Sequence, residues 1–326
     1  MSVGVIGHLV NPSIDDVVEL AGVAEDAGAD WLGLPDAFWW RDVWMLLAAA
    51  ARATSRLELG PAMTNPYLRH PFHTVAALAT LQELAGPRVF AGLAAGGSEV
   101  SGAAHLSRAD APRRVGELAE LLAAVAAGVP LDPASGRHLD LKLLPVPVLI
   151  AGRGDRMLRV AGTHAHRALL FAVPGSDLAR TAGVLMAAAA SGRVAPGARP
   201  DVVWAPLVAH DESVRPYLGY AAVYAALNAA PAARRRWGLD AGMAAAIRAE
   251  LLRGGTARAA DLVPAAALDD LIVRNPEAAV VADQGRRVGA TSIAIPSFAT
   301  STLASRIGWA RQIDALLASG PPATGP

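Results

Sequence analysis

Residues 57–93 read LELGPAMTNPYLRHPFHTVAALATLQELAGPRVFAGL and contain one complete strand–helix–strand unit. The apolar run 57–62 has the length of a strand. A proline-rich polar turn follows, and then residues 74–85 keep a helical pattern until Gly86 stops them. Residues 89–93 resume the apolar run. A helix between two strands returns the chain to its starting edge, so the strands pair in parallel.

The same unit recurs on both sides. Toward the N-terminus, candidate strands 3–9 and 31–34 are followed by helical stretches, the second at 43–53. The first helix opens at Ser13-Ile14-Asp15-Asp16, the Ser-x-x-Asp form of a capped start. It presents Val17, Val18, Leu20, Ala21 and Ala24 on one face and ends at Gly28. Toward the C-terminus, a helix over 111–127 closes at Gly128. Strands at 148–151, 168–172, 202–209 and 291–295 then each lead into helix, the last about 302–317. The strands are continuous apolar runs, as expected when helices cover both faces of a sheet. Eight such units predict an α/β fold of the (β/α)8 TIM barrel type, with an open doubly wound sheet as the rival. The stretch 202–291 holds more helix than one crossover needs, which predicts a helical insertion after strand 7, about 211–285. The expected organisation is a single barrel domain over 1–318 with a flexible Pro- and Gly-rich tail at 319–326.

Composition removes whole classes of chemistry. Hydrophobic residues make up 53% and charged ones 18%, which suits a large core and not a disordered chain. Basic and acidic residues balance at 29 each, so nucleic acid and anionic membranes are not expected partners. There is no cysteine, which excludes disulfides, thiolate nucleophiles and cysteine metal sites. Lys142 is the only lysine and no Gly-Lys-Ser/Thr triplet exists, which excludes a P-loop. Residues 1–10 carry no basic region of a signal peptide and no apolar run is of membrane-spanning length, so a cytoplasmic location is expected.

In a barrel, chemistry gathers where strands end. At the end of strand five, Gly152-Arg153-Gly154-Asp155-Arg156-Met157 places a Gly-x-Gly turn before a helix. The third glycine of a dinucleotide fingerprint is missing, yet open N–H groups and two arginines suit a phosphate. An ordinary tight turn is the bland alternative. Gly96-Gly97-Ser98 after strand four lets a ligand approach the backbone, or is merely a loop. Asp36-Ala37-Phe38-Trp39-Trp40 sets an acid beside aromatics, which suits a flat ligand or a packed rim. His164-x-His166 and His70-x-x-His73 have metal spacings, but no acidic set completes a shell, so no metal is expected.

The segment 60–71, with Thr64-Asn65-Pro66-Tyr67-x-Arg69-His70-Pro71, resembles the luciferase-like monooxygenase superfamily. The resemblance extends to the helix Ala79-Thr-Leu-Gln-Glu-Leu-Ala-Gly-Pro-Arg88, to 90–98 and to 150–162. Within the superfamily it is similar to the deazaflavin-dependent branch that includes methylenetetrahydromethanopterin reductase. The resemblance implies coenzyme F-420, or alternatively FMN, at the C-terminal mouth, and a cis peptide at Ala62–Met63 in a bulge behind the ring. It places Asn65 near the ring's polar edge, Gly96 and Gly97 beside the ring and ribityl chain, and Gly152–Met157 at the phosphate, with Arg153, Gly154 and Arg156 among them. It gives Asp36 an acidic active-site position and implies a homodimer.

Departures limit what carries over. A related sugar-phosphate dehydrogenase has histidine where Ala37 stands and glutamate where Gly97 stands, and the usual Ala-Asp-Gly near strand six reads Ala165-His166-Arg167. That activity is therefore not expected. The expected function is a deazaflavin-dependent oxidoreductase that transfers hydride to or from a C=C or C=N bond of a small, apolar substrate. Asp36 or His8 would be the proton source, and Trp39 and Trp40 would contact the substrate. An FMN-dependent monooxygenase and a non-catalytic cofactor-binding protein are the alternatives.

Overall fold

A computed structural model gives the architecture and describes residues 2–7, 12–38, 40–97, 105–190, 199–209, 215–297 and 300–319. The strands are β1 (Val3–Gly7), β2 (Trp31–Leu34), β3 (Glu58–Pro61), β4 (Ala91–Leu93), β5 (Val148–Ala151), β6 (Arg167–Phe171), β7 (Asp201–Ala205), β8 (Leu207–Val208), β9 (Ile272–Val273) and β10 (Ser292–Ser297). Eight of them form one parallel sheet in the order β3-β2-β1-β10-β7-β6-β5-β4. Its two edges meet through isolated parallel bridges, Leu59 to Val89 and Thr64 to Leu93, so the sheet is a nearly closed barrel and not an open layer.

The seam depends on two glycines. A Cβ at Gly60 would lie 2.3 Å from the Phe90 carbonyl, and one at Gly92 would lie 1.9 Å from the Pro61 carbonyl. Any side chain at either position would push β3 and β4 apart.

The helices between the strands are α1 (Ile14–Asp26), α2 (Val43–Ala53), α3 (Pro71–Ala85), α4 (Ala111–Ala126), α5 (Asp155–His164) and α6 (Leu178–Ala189). The capped start of α1 is present: Asp16 N–H donates to Ser13 Oγ at 3.0 Å and Ser13 N–H to the Asp16 carboxylate at 2.7 Å. The helix buries Val17, Leu20, Ala21 and Ala24 against the sheet. Helix α3 begins three residues before the expected Thr74, because Pro71 suits a first helical position and the His70 ring accepts from Phe72 N–H.

The expected strand 202–209 is divided. Pro206 has no N–H to give to a ladder, so β7 ends at Ala205 and β8 pairs with β9 in a separate two-stranded sheet. Between them run α7 (Arg215–Leu227), α8 (Pro231–Arg236), α9 (Ala241–Leu252), α10 (Thr256–Asp261) and α11 (Ala265–Leu271). These helices share their own apolar cluster around Leu218, Val223, Trp237 and Ile247. Helices α12 (Ala278–Arg287) and α13 (Leu303–Ala318) complete the chain. Residues 320–326 of the expected tail lie outside the described residues.

Strand alternation sorts the core into two shells. Val3, Val5, Leu32 and Leu59 face the helices, whereas Ile6, Trp31, Phe90, Leu149 and Leu169 fill the barrel. Trp31 stands edge-on to Phe90 at 5.5 Å between ring centres. Beneath this layer Arg167 of β6 pairs with Glu58 of β3 at 2.6 Å. Among the described residues no helix is long and apolar enough to cross a membrane.

Candidate active site

Above the inner shell, the strand ends enclose a cleft of about 390 Å³. Ile6 of β1 and Leu169 and Phe171 of β6 form its floor and side. Ala62 and Met63, leaving β3, form one edge, and the peptide between them is cis. The neighbouring segment 94–97 after β4, Ala151 at the end of β5, and Gly152, Arg153, Gly154 and Met157 beyond it complete the rim. Of the positions expected to hold a cofactor, Ala62, Met63, Gly96, Gly97, Gly152, Arg153, Gly154 and Met157 thus meet in one cavity.

The turn after β5 leaves a helix start uncapped. Gly154 caps α5 with extended backbone and no side-chain hydrogen bond, and the helix ladder starts only when Leu158 N–H reaches the Gly154 carbonyl. The first-turn N–H groups and the positive end of the helix dipole therefore remain for a ligand. Gly152 allows Met157 to fold back over the turn, because a Cβ there would lie 2.8 Å from the Met157 Cβ.

Arg153 is locked in the cleft wall. Its Nε donates to the Phe171 carbonyl at 3.0 Å, one Nη reaches the Tyr224 carbonyl at 3.4 Å, and the guanidinium lies over the Phe171 ring. Burial pushes its pKa down to about 10. Arg156, by contrast, is exposed on α5 and does not line the cleft. The neighbouring Asp155 pairs with Arg180.

Asn65 is buried and does not line the cleft. Its Oδ1 accepts from Tyr67 and Leu68 N–H, each at 3.1 Å, which turns the chain after the bulge. Gly96 packs on its amide, with a left-handed φ of 80°.

Asp36, expected at the cofactor, is not among the residues that line the cleft; the Thr64 hydroxyl donates to its Oδ2 at 2.7 Å. Burial raises its pKa, against the Thr64 bond and the Arg69 charge. Trp40 lines a small apolar pocket with Pro12, Val17, Leu20 and Leu34. His8 and Trp39 lie outside the described residues.

Three polar or charged lining residues escape a sequence reading: Arg108, Tyr224 and Asn228. Tyr224 is on α7 and Asn228 directly follows its end, where the Asn228 N–H and side-chain amide both donate to the Tyr224 carbonyl and keep the two residues on one side. Nothing local says that this side meets the barrel mouth. Arg108 is one arginine among many ahead of α4.

A profile of the luciferase-like monooxygenase family matches residues 2–290. The chain belongs to the luciferase-like monooxygenase family. Within the family, it is 30% identical over 145 residues to the 5,10-methylenetetrahydromethanopterin reductase of Archaeoglobus fulgidus, covering 43% of this chain and 44% of that one. The match thus spans less than half of the curated relative. The coenzyme F-420-dependent tetrahydromethanopterin reductase of Methanopyrus kandleri superposes with a TM-score of 0.77 at 21% identity, covering 95% of this chain and 97% of that one. A monooxygenase of Streptomyces bottropensis superposes with a TM-score of 0.64 at 18% identity, covering 98% and 100%. At these identities the two structures speak for the fold.

Proposed function

We propose that this luciferase-like protein is a coenzyme F-420-dependent oxidoreductase. The observation that carries the reading is the cleft itself. It is largely apolar, as a flat ring requires, yet it ends at an uncapped helix start beside a buried guanidinium, as a phosphate requires. Ala62, Met63, Gly96 and Gly97 would hold the ring, and Gly152, Arg153, Gly154 and Met157 the phosphate. When bound, the deazaflavin supplies or accepts a hydride. The preference for deazaflavin over FMN draws on the Thr64–Pro71 motif and on the reductases among the relatives.

The chain's own chemistry centres on Asp36. Thr64 donates to Oδ2 and burial raises the pKa of the carboxyl, so Oδ1 would be the atom to carry a proton. That atom is the donor in this reading. Arg153 neutralises the phosphate, and the apolar floor of Ile6, Leu169 and Phe171 excludes water.

An FMN-dependent monooxygenase is the second reading, favoured by the end-to-end likeness to the Streptomyces bottropensis enzyme. Titration of the protein with each cofactor, followed by fluorescence, separates the two. Tighter binding of coenzyme F-420 than of FMN is expected. Micromolar FMN binding with no detectable deazaflavin binding would overturn the proposal.

A further inference from the structure

Arg108 enters the cleft from the segment that precedes α4. Of that segment, Leu106, Ser107, Ala109 and Asp110 line a separate groove on the far side, whereas Arg108 turns inward. A guanidinium carries five N–H donors. One Nη of Arg108 donates to the Gly96 carbonyl at 2.5 Å, and among the described residues no other protein acceptor meets it.

The nearest acid in sequence gives no relief. Asp110 is held by Arg114 at 2.7 Å and by the Tyr67 hydroxyl at 2.7 Å, which keep its carboxyl well below the usual range, and it also pairs with Arg113 at 2.9 Å. Among the described residues Arg108 has no carboxylate partner; it is a half-buried cation in a mostly apolar cavity, and burial lowers its pKa against the smaller opposing effect of Tyr67. An uncompensated charge in such surroundings costs free energy that a bound anion recovers. The planar fork suits the two oxygens of a carboxylate or a phosphate.

We propose that Arg108 is a second anion-recognition point of the cleft, distinct from the turn at 152–154. It takes a carboxylate or phosphate borne either by the redox substrate or by the cofactor's tail. This rests on the deazaflavin reading of the cleft and deepens it: the bound molecules carry an anionic group beyond the one at α5, where sequence suggested an apolar substrate.

The test compares wild type with Arg108→Gln, which keeps an N–H for the Gly96 carbonyl but removes the charge, and with Arg108→Ala. The probes are coenzyme F-420, the same ring and ribityl chain without the phosphate-linked tail, FMN, and the simple anions benzoate and inorganic phosphate. Affinities are read by fluorescence, and anion effects on the apoprotein by thermal shift at low and high salt. Wild type is expected to be stabilised by the simple anions, and Arg108→Gln to lose about tenfold in their apparent affinity.

A parallel loss for coenzyme F-420, but not for the tail-free ring, assigns the anion to the cofactor. Unchanged coenzyme F-420 affinity, with benzoate binding to the loaded protein lost, assigns it to the substrate. The proposal is overturned if Arg108→Gln matches wild type with every probe. It is also overturned if only Arg108→Ala weakens binding and does so equally for the tail-free ring, because Arg108 would then merely prop Gly96. Should wild type bind neither cofactor yet respond to anions through Arg108, the deazaflavin reading fails and this one stands.

Discussion

At Asp36, burial and hydrogen bonding act on one carboxyl in opposite directions. Removal from water raises its pKa, the Thr64 bond and Arg69 lower it, and burial prevails. A raised folded pKa means that the folded chain binds the proton more tightly than the unfolded chain. Stability therefore falls as pH rises from the unfolded value near 3.8 through the folded one. Asp36→Asn removes that penalty while still accepting from Thr64, so its melting temperature at pH 7 should equal or exceed that of wild type. Turnover should fall by roughly 10²–10⁴ if Oδ1 delivers the proton. Both are measured on one preparation, and a fall of only a few-fold would leave Asp36 as a positioning group. Asp36 was legible as an acid at a strand end. Its partner Thr64, 28 residues away, was not, because only folding brings them together. The same holds for Arg153 and Arg156. Both follow Gly152, but the turn ahead of α5 sends Arg153 into the cleft, while Arg156 in the first turn of α5 faces solvent.

Glu25, near the end of α1, shows how elements are joined. Burial alone would raise its pKa, but the backbone N–H groups of Arg56, Leu57 and Ser55 and the Ser55 hydroxyl hold it at about 2. These bonds dock α1 onto the chain entering β3. A depressed folded pKa stabilises the protein above the unfolded value of 4.5, and that stability is lost as pH falls from there toward about 2. Because the group is largely solvated, the contribution is about 1 kcal/mol. Glu25→Gln should lower the unfolding free energy measured in urea by that much at pH 7 and flatten the acid dependence between those two pH values. Elements themselves were legible where signals are local, as in the Ser13 cap and the stop at Gly86. They were misjudged where one residue outweighs a pattern, as when Pro206 interrupts an otherwise uniform apolar run.

Across the whole barrel, Glu58 and Arg167 tie β3 to β6 beneath the Trp31 and Phe90 layer, with side chains only 17% and 21% exposed. Removing one partner leaves the other charge partly buried. Glu58→Gln should therefore cost about 1.5–3 kcal/mol in denaturant unfolding. Adding Arg167→Gln should restore part of the loss, and strict additivity in that double-mutant cycle would show that the pair contributes nothing to closure. Sequence by itself determined the eight-fold alternation, the family and the stretches that form the mouth, because apolar periodicity, caps and motifs are properties of neighbours in the chain. Only the tertiary structure decided that β3 and β4 close through Gly60 and Gly92, that the end of α7 brings Tyr224 and Asn228 to the cleft, and that Arg108 points into it with no carboxylate partner among the described residues. Each of those depends on distances between residues far apart in sequence, which local pattern does not encode.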